Sequence, residues 1–206
     1  MLTLICYHKN LYNLYLDKWI NEFRESILNQ TYKEFTIMEI NYGGGTERIF
    51  EDSIFESKEL PTFVHAMNYL IKKSLKDGAD VVGNLNCDDT YNTDRLKIQM
   101  QYMEIGYDIC SSNFSLMRDG FIFHKHKFDN KNIKEELEIN HNVVCHPSVC
   151  YSANFLKSNR YEPNEIPLED LLLWKRTIDN YRFIITPENL VNQRIHNNSV
   201  CKSDNR

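Results

Sequence analysis

The stretch Asp80-Val81-Val82-Gly83-Asn84-Leu85-Asn86-Cys87-Asp88-Asp89 decides how this chain folds. It follows the Asp77-Gly78 turn, and its apolar first half predicts a short buried strand over 80–85. Its second half ends that strand on two adjacent carboxylates. Side by side they repel each other and lose solvation, so packing alone does not explain them. A hard divalent cation with oxygen ligands relieves the repulsion. Mg²⁺ characteristically takes one or two carboxylates, keeps waters and accepts phosphate oxygens. A solvated, capped turn explains the same residues, because Asp-Asp-Thr ahead of a helix is a common capping arrangement.

Outward from that strand, apolar runs alternate with helical periodicity. Upstream, the pattern predicts a strand at Thr3–Tyr7, a helix over Leu11–Asn29 and a second strand at Phe35–Ile40 stopped by Gly43-Gly44-Gly45. Pro61 opens a helix in which Val64, Met67, Leu70, Ile71 and Leu75 keep one face apolar. Downstream come a helix over Thr93–Ile105 and strands at Tyr107–Phe114 and Gly120–His126. The polar segment Phe128–Asn142 reads as loop, Val143–Tyr151 as strand and Pro167–Asn180 as helix. Tyr181–Thr186 and Leu190–His196 read as two closing strands. The β-α-β-α-β-α order of the first half predicts an α/β fold, a mainly parallel sheet with helices on both faces. Ligands of such sheets sit beyond the carboxyl ends of the strands. That directs attention to 7–10, 41–45 and 86–90.

Composition narrows the partners. With 42% hydrophobic and 26% charged residues over 206 positions, the chain reads as one globular domain with a substantial core. A net charge of −5 without a basic run argues against nucleic acid. No apolar stretch approaches the roughly 20 residues of a transmembrane helix, and the first ten residues lack the regions of a signal peptide. The expected location is therefore the cytoplasm (a host's cytoplasm if the source is viral). The six cysteines lack C-x-x-C spacing and read as buried free thiols. His124-Lys125-His126-Lys127 looks like a metal tract but alternates as a strand does, and reads as a solvated hairpin.

Five segments, in order, resemble the family 2 glycosyltransferases of GT-A fold. Ser26-Ile27-Leu28-Asn29-Gln30-Thr31-Tyr32-Lys33-Glu34-Phe35 is similar to that family's S-x-L-N-Q-T-Y segment. Ala66-Met67-Asn68, followed by Gly78 to Asp89, resembles its A-x-N helix, glycine turn and metal-motif strand. His146-Pro147-Ser148, Glu169-Asp170-Leu171-Leu172-Leu173-Trp174-Lys175-Arg176 and Arg194-x-His196-x-x-Ser199-Val200 resemble its later segments. The resemblance spans about residues 1–200. It implies a Rossmann-like sheet in one domain, with a nucleotide-sugar half over 1–105, a smaller mixed acceptor half over 106–200, and a polar tail at 201–206. It implies transfer of a hexose or N-acetylhexosamine from a nucleotide-diphosphate donor, a UDP-sugar first among them, with inversion. The acceptor would be a glycan, a glycoprotein or a lipid-linked hydroxyl.

Carried over by position, Asp88 and Asp89 match the metal aspartates for Mn²⁺ or Mg²⁺, and His196 matches a histidine near the metal or diphosphate. Asp170 matches the base that takes the acceptor proton, with Glu169 as the alternate. Asn68, Asn86 and Asp88 fall at donor-binding positions. As bare residues, the acids at 169–170 equally suit the first turn of a helix, Asn68 an ordinary polar helix position, and His196 a surface site. His146 reads as an acceptor-side or a buried structural residue. Two departures touch the donor. Asn86 stands where the metal motif opens with aspartate, and Asn41-Tyr42-Gly43 replaces the base-reading Asp-Asp-Gly. Tyr7-His8-Lys9-Asn10 ends the first strand without the usual P-T-Y-N, leaving Tyr7 as a candidate to stack on a base. These departures motivate an alternative, a catalytically degenerate nucleotide- or glycan-binding protein or scaffold. A nucleotidyltransferase ranks below both, because 7–16 holds no glycine-rich phosphate loop.

Overall fold

A computed structural model describes residues 1–196. The chain order is β1 (Leu2–His8), α1 (Leu11–Leu14), α2 (Asp17–Leu28), β2 (Phe35–Asn41), β3 (Ile54–Ser57), α3 (Phe63–Lys76), β4 (Val81–Leu85), β5 (Thr90–Tyr91) and α4 (Arg95–Glu104). It continues with β6 (Ile109–Arg118), β7 (Phe121–His126), α5 (Ile133–Glu138), β8 (Cys150–Ser152), α6 (Ala153–Ser158), α7 (Glu169–Thr177) and β9 (Phe183–Arg194). The strands form one sheet in the order β3-β2-β1-β4-β8-β6-β9-β5, with β7 added to β6.

The first four strands in that order are parallel, as the β-α-β pattern predicts. The second half is mixed: β8 lies antiparallel between β4 and β6, while β9 runs parallel to β6 and antiparallel to β5. Alternation along the strands divides the core between the two faces of the sheet. Ile5 and Val82 join the buried face of α3 and α7, whereas Leu2, Leu4, Cys6 and Leu85 pack with α2 and α4. All five residues of β4 are buried, as expected for a central strand covered on both sides. Cys6, Cys87, Cys110, Cys145 and Cys150 are buried free thiols; Cys201, Ser199–Val200 and the rest of the tail lie outside the described residues.

The structure corrects five elements. The helix expected over Leu11–Asn29 breaks at Tyr15–Leu16, whose backbone is extended, and Tyr15 turns its ring edge onto His196. The 128–142 segment is not all loop: Ile133 and Leu137, one turn apart, are buried and make α5. Of the expected 143–151 strand only Cys150 and Tyr151 are paired, in a short strand that runs on to Ser152, because His146-Pro147-Ser148 forms a 3₁₀ turn. The two closing strands are one, β9. Register shifts opposite Ser112–Phe114 absorb Pro187, whose carbonyl accepts from Asn113 Nδ2. The short strands β3 and β5 carry too few residues for a periodicity to show.

Candidate active site

The Asp88-Asp89 turn follows β4, and the end of β9 lies across it. Arg194 is the clamp. Its backbone N–H donates to Asp89 Oδ1 at 2.8 Å, its Nε to the Asp88 carbonyl at 2.9 Å, and its Nη2 to Glu22 Oε2 at 2.6 Å. Two residues on, His196 Nε2 lies 3.1 Å from Asp88 Oδ2. The Tyr15 and Trp19 rings flank that imidazole, with centroids at 5.9 and 5.0 Å. The extended 15–16 segment is what turns Tyr15 toward it.

The two aspartates are not equivalent. Asp89 is buried, and burial together with the Asp88 charge raises its pKa against the opposing pull of Arg194 and Arg95. Its carboxylate helps bind β9 to the turn. The Asp88 side chain keeps 20% exposure beside His196. Carboxylate oxygen suits Mg²⁺ and Mn²⁺, and His196 adds an imidazole nitrogen. Among the described residues no three His, Cys, Asp or Glu side chains converge on a metal position. Asp88 and His196 could hold a cation whose other ligands come from outside these side chains.

The donor-end candidates are largely engaged within the protein. Asn41 is buried; its Oδ1 accepts from the Gly43 N–H and its Nδ2 donates to Glu47, so the amide shapes the glycine loop. Gly44 adopts φ +79° there, and a Cβ on Gly43 would meet the Lys9 side chain at 2.9 Å. Tyr7 stacks on Phe63, with ring centroids 6.4 Å apart. Asn68 directs both ends of its amide to the Tyr161 backbone, Nδ2 to the carbonyl at 2.7 Å and Oδ1 from the N–H at 3.3 Å. That pairing makes it a strut between α3 and the segment ahead of α7. Asn86 Oδ1 accepts from Asn84, and its N–H donates to Tyr91 Oη.

Asp170 lies in the first turn of α7. Its Oδ2 accepts from Asn142 Nδ2 at 2.7 Å, and its Oδ1 from the Leu171 N–H. His146 comes from the 3₁₀ turn and rests edge-on against Tyr161. Burial lowers its pKa while the Asp170 charge pulls the other way, and its Nε2 has no partner. A neutral imidazole beside a partly open carboxylate can orient or receive a proton.

Glu169 differs from Asp170. Burial, reinforced by Asp170 and Glu165, pushes its pKa up to about 7, and its Oε2 has no partner. The folded pKa lies above the ordinary 4.5, so ionising Glu169 costs stability progressively as pH rises from about 4.5 to 7. Glu169→Gln should thus raise Tm by roughly 2–6 °C at pH 8 and leave it unchanged at pH 4. An equal effect at both pH values would show that the carboxylate is not strained by burial.

Three networks that support the site had only partial sequence signals. Gln30, inside the S-x-L-N-Q-T-Y segment, donates to the Ser26 and Asn92 carbonyls and accepts from the Leu96 N–H, pinning the start of α4. Arg95 is fully buried, stacks over Tyr91 and bonds Gln99 and the Asn84 carbonyl behind Asp89. At the end of β1, His8 Nε2 bonds Glu39, which also accepts from the Ile49 and Phe50 N–H groups and Ser53 Oγ. A buried Glu satisfied four times holds the 46–53 loop against the sheet. No periodicity announces it.

No family model matches the chain. It is 26% identical over 202 residues to the O-antigen biosynthesis glycosyltransferase WbnJ of Escherichia coli, covering 91% of this chain and 78% of that one. It is 27% identical over 199 residues to the uncharacterized glycosyltransferase MJ1057 of Methanocaldococcus jannaschii, covering 88% and 67%. Among solved structures, S. aureus TarS 1-349 in complex with UDP-GlcNAc superposes with TM-score 0.71 at 16% identity, over 96% of this chain and 59% of that one. The mannosyltransferase PcManGT from Pyrobaculum calidifontis, in complex with GDP-Man and Mn²⁺, superposes with TM-score 0.66 at 13% identity, over 96% and 57%. The chain thus spans somewhat under two thirds of these two structures, and at such identity they speak to the fold alone. With two sequence relatives named glycosyltransferases and the sheet of glycosyltransferase structures, this chain is a GT-A-like glycosyltransferase.

Proposed function

We propose that the chain is a metal-dependent, inverting glycosyltransferase that moves a sugar from a nucleotide-diphosphate donor, a UDP-sugar first among them, to an acceptor hydroxyl. The observation that carries this reading is the meeting of Asp88 with His196, 108 positions apart, at 3.1 Å beside the end of β4. The UDP-GlcNAc and GDP-Man bound by the two structural relatives support the donor class, and the Mn²⁺ of PcManGT supports the metal.

Asp88 and His196 would hold Mn²⁺ or Mg²⁺, which supplies Lewis-acid neutralisation of charge on the departing diphosphate. Asp89 and Arg194 keep the β4 and β9 ends in register so that the Asp88 side chain faces outward. Asp170 takes the proton of the acceptor hydroxyl as the oxygen attacks the anomeric carbon from the face opposite the diphosphate. Asn142 orients the carboxylate through Oδ2, and the Leu171 N–H does so through Oδ1. Glu169, whose burial holds its carboxyl protonated up to about pH 7, is the alternate base. Residues 1–105 make up the donor half and 106–196 most of the acceptor half of a single domain.

One observation favours a second reading. Asn41, Asn68 and Tyr7 make their contacts within the protein, which suits a degenerate binding module. A panel of nucleotide-diphosphate sugars with Mn²⁺ separates the two. Transfer, or slow donor hydrolysis, is expected for at least one donor. Metal-dependent binding of a nucleoside diphosphate without turnover of any donor would overturn catalysis in favour of the binding module.

A further inference from the structure

The β6–β7 hairpin ends in an apolar tip that the fold does not cover. Phe121, Ile122 and Phe123 are 78%, 47% and 55% exposed. Other exposed apolar residues, such as Ile105 or Ile139, stand without an exposed apolar neighbour in sequence, which is ordinary for a protein surface. Three in a row is not ordinary. They lie on both faces of the ribbon, because strand side chains alternate and a register shift after Leu116 places Phe123 where no partner residue opposes it.

The charge around the tip is the reverse of the chain's. From Leu116 to Phe128 the segment carries Arg118, Lys125 and Lys127 against Asp119 alone, in a protein whose net charge is −5. Arg118, Lys125 and Lys127 are all exposed, and Arg118 lies over the Phe123 ring at 5.6 Å. An apolar tip ringed by cations matches an anionic bilayer surface, where side chains enter the headgroup boundary and cations meet lipid phosphates. The net negative charge of the rest of the chain disfavours approach to the same surface, which favours this end as the one that faces it. A second copy of the chain paired along the β7 edge would bury one face of the ribbon. It would leave Ile122 or the two phenylalanines in water and set Lys125 and Lys127 near their own images.

The hairpin also adjoins the candidate active site. Met117, just before the tip, pairs with Arg194 of β9, and the Ile195 N–H donates to the Met117 carbonyl. The next residue is His196, on Asp88.

We infer that the Arg118–Lys127 hairpin is a peripheral membrane-docking element that seats on anionic lipid and brings the Asp88–His196 end of the sheet to the bilayer. This rests on the glycosyltransferase reading only in suggesting why such placement is useful, for an acceptor or product carried on lipid. The docking itself is independent of catalysis. No helix among the described residues is long and apolar enough to span a membrane. The hairpin therefore docks on the surface.

Vesicle flotation tests it with the full chain. The protein should float with phosphatidylcholine vesicles that contain phosphatidylglycerol and stay behind with phosphatidylcholine alone. Raising salt from about 0.1 to 1 M, which cuts the screening length from ~10 to ~3 Å, should release it. Phe121→Ser with Phe123→Ser should lower bound protein about tenfold, Lys125→Glu with Lys127→Glu severalfold, and both pairs should keep the wild-type Tm because the side chains are exposed. A Phe121→Trp variant should shift its emission to the blue on anionic vesicles. Absence of flotation, or equal flotation of the Phe121/Phe123 variant, would overturn the proposal. So would sedimentation showing a dimer that the Phe121/Phe123 pair abolishes while vesicles bind nothing. Turnover on a water-soluble acceptor is read separately, so failure of docking and failure of the glycosyltransferase reading are distinguishable.

Discussion

Asp170→Asn is expected to lower kcat by about 10²–10⁴, the usual range for removing a positioned general base, with little change in donor KM. Asparagine keeps the shape of the side chain, and its amide oxygen can still accept from Asn142 Nδ2, as the carboxylate does at 2.7 Å. The fold should be unaffected and Tm should stay near the wild-type value. What is lost is the ability to take a proton. Glu169→Gln serves as the control. Its carboxyl is buried with a pKa near 7, and its removal should change kcat far less. Wild-type turnover in Asp170→Asn, or a larger loss in Glu169→Gln, would transfer the base assignment to Glu169.

The second large effect separates two neighbours. Asp88→Asn should weaken Mn²⁺-dependent binding of UDP, followed by calorimetry, by at least about 10²-fold, the upper end of what loss of an orienting metal partner costs. Tm should fall little, since the Asp88 side chain is partly exposed. Asp89→Ala should behave in the opposite way. Removing its carboxylate strands the Arg194 N–H and leaves the buried Arg95 and Arg194 without that countercharge. Loss of a buried charge partner costs roughly 2–4 kcal/mol once the raised pKa of Asp89 is allowed for. That corresponds to a Tm lower by about 5–15 °C. If Asp89→Ala kept its Tm and lost metal-dependent binding, the roles of the two aspartates would be exchanged.

The first half of the fold was legible because each element carries its own period. The buried stripe of α3, with Val64, Met67, Leu70 and Ile71, and the unbroken apolar β4 leave one solution, a parallel sheet covered on both faces. The second half was less legible because its order comes from contacts at a distance. Val143–Val144 reads as strand by composition, yet the 3₁₀ turn at Pro147 takes the chain out of the ladder. Pro187 reads as a break between two strands, yet a bulge in β9 carries it within one strand beside β6.

The candidate site divides the same way. Asp88, Asp170 and His196 were found through the ordered resemblance, because a carboxylate at a strand end and a histidine near position 200 carry little information singly. Asn68 shows the limit. An amide on a helix looks identical in sequence whether it faces a ligand or the backbone of Tyr161, 93 residues away. Glu39 is the converse. It interrupts the apolar run of β2 and looks out of place, and only the 46–53 loop that it gathers explains it.

The clamp of Arg194 and His196 on the Asp88-Asp89 turn also sets an order of assembly. Its contacts join positions 105–108 residues apart, while β1, β2, β3 and β4, with the helices between them, all lie before position 86. A chain emerging residue by residue from the ribosome can pair those strands long before the clamp exists. The Asp88–His196 end of the candidate site is therefore the last part to close during synthesis, completed only once β9 has been laid against β6.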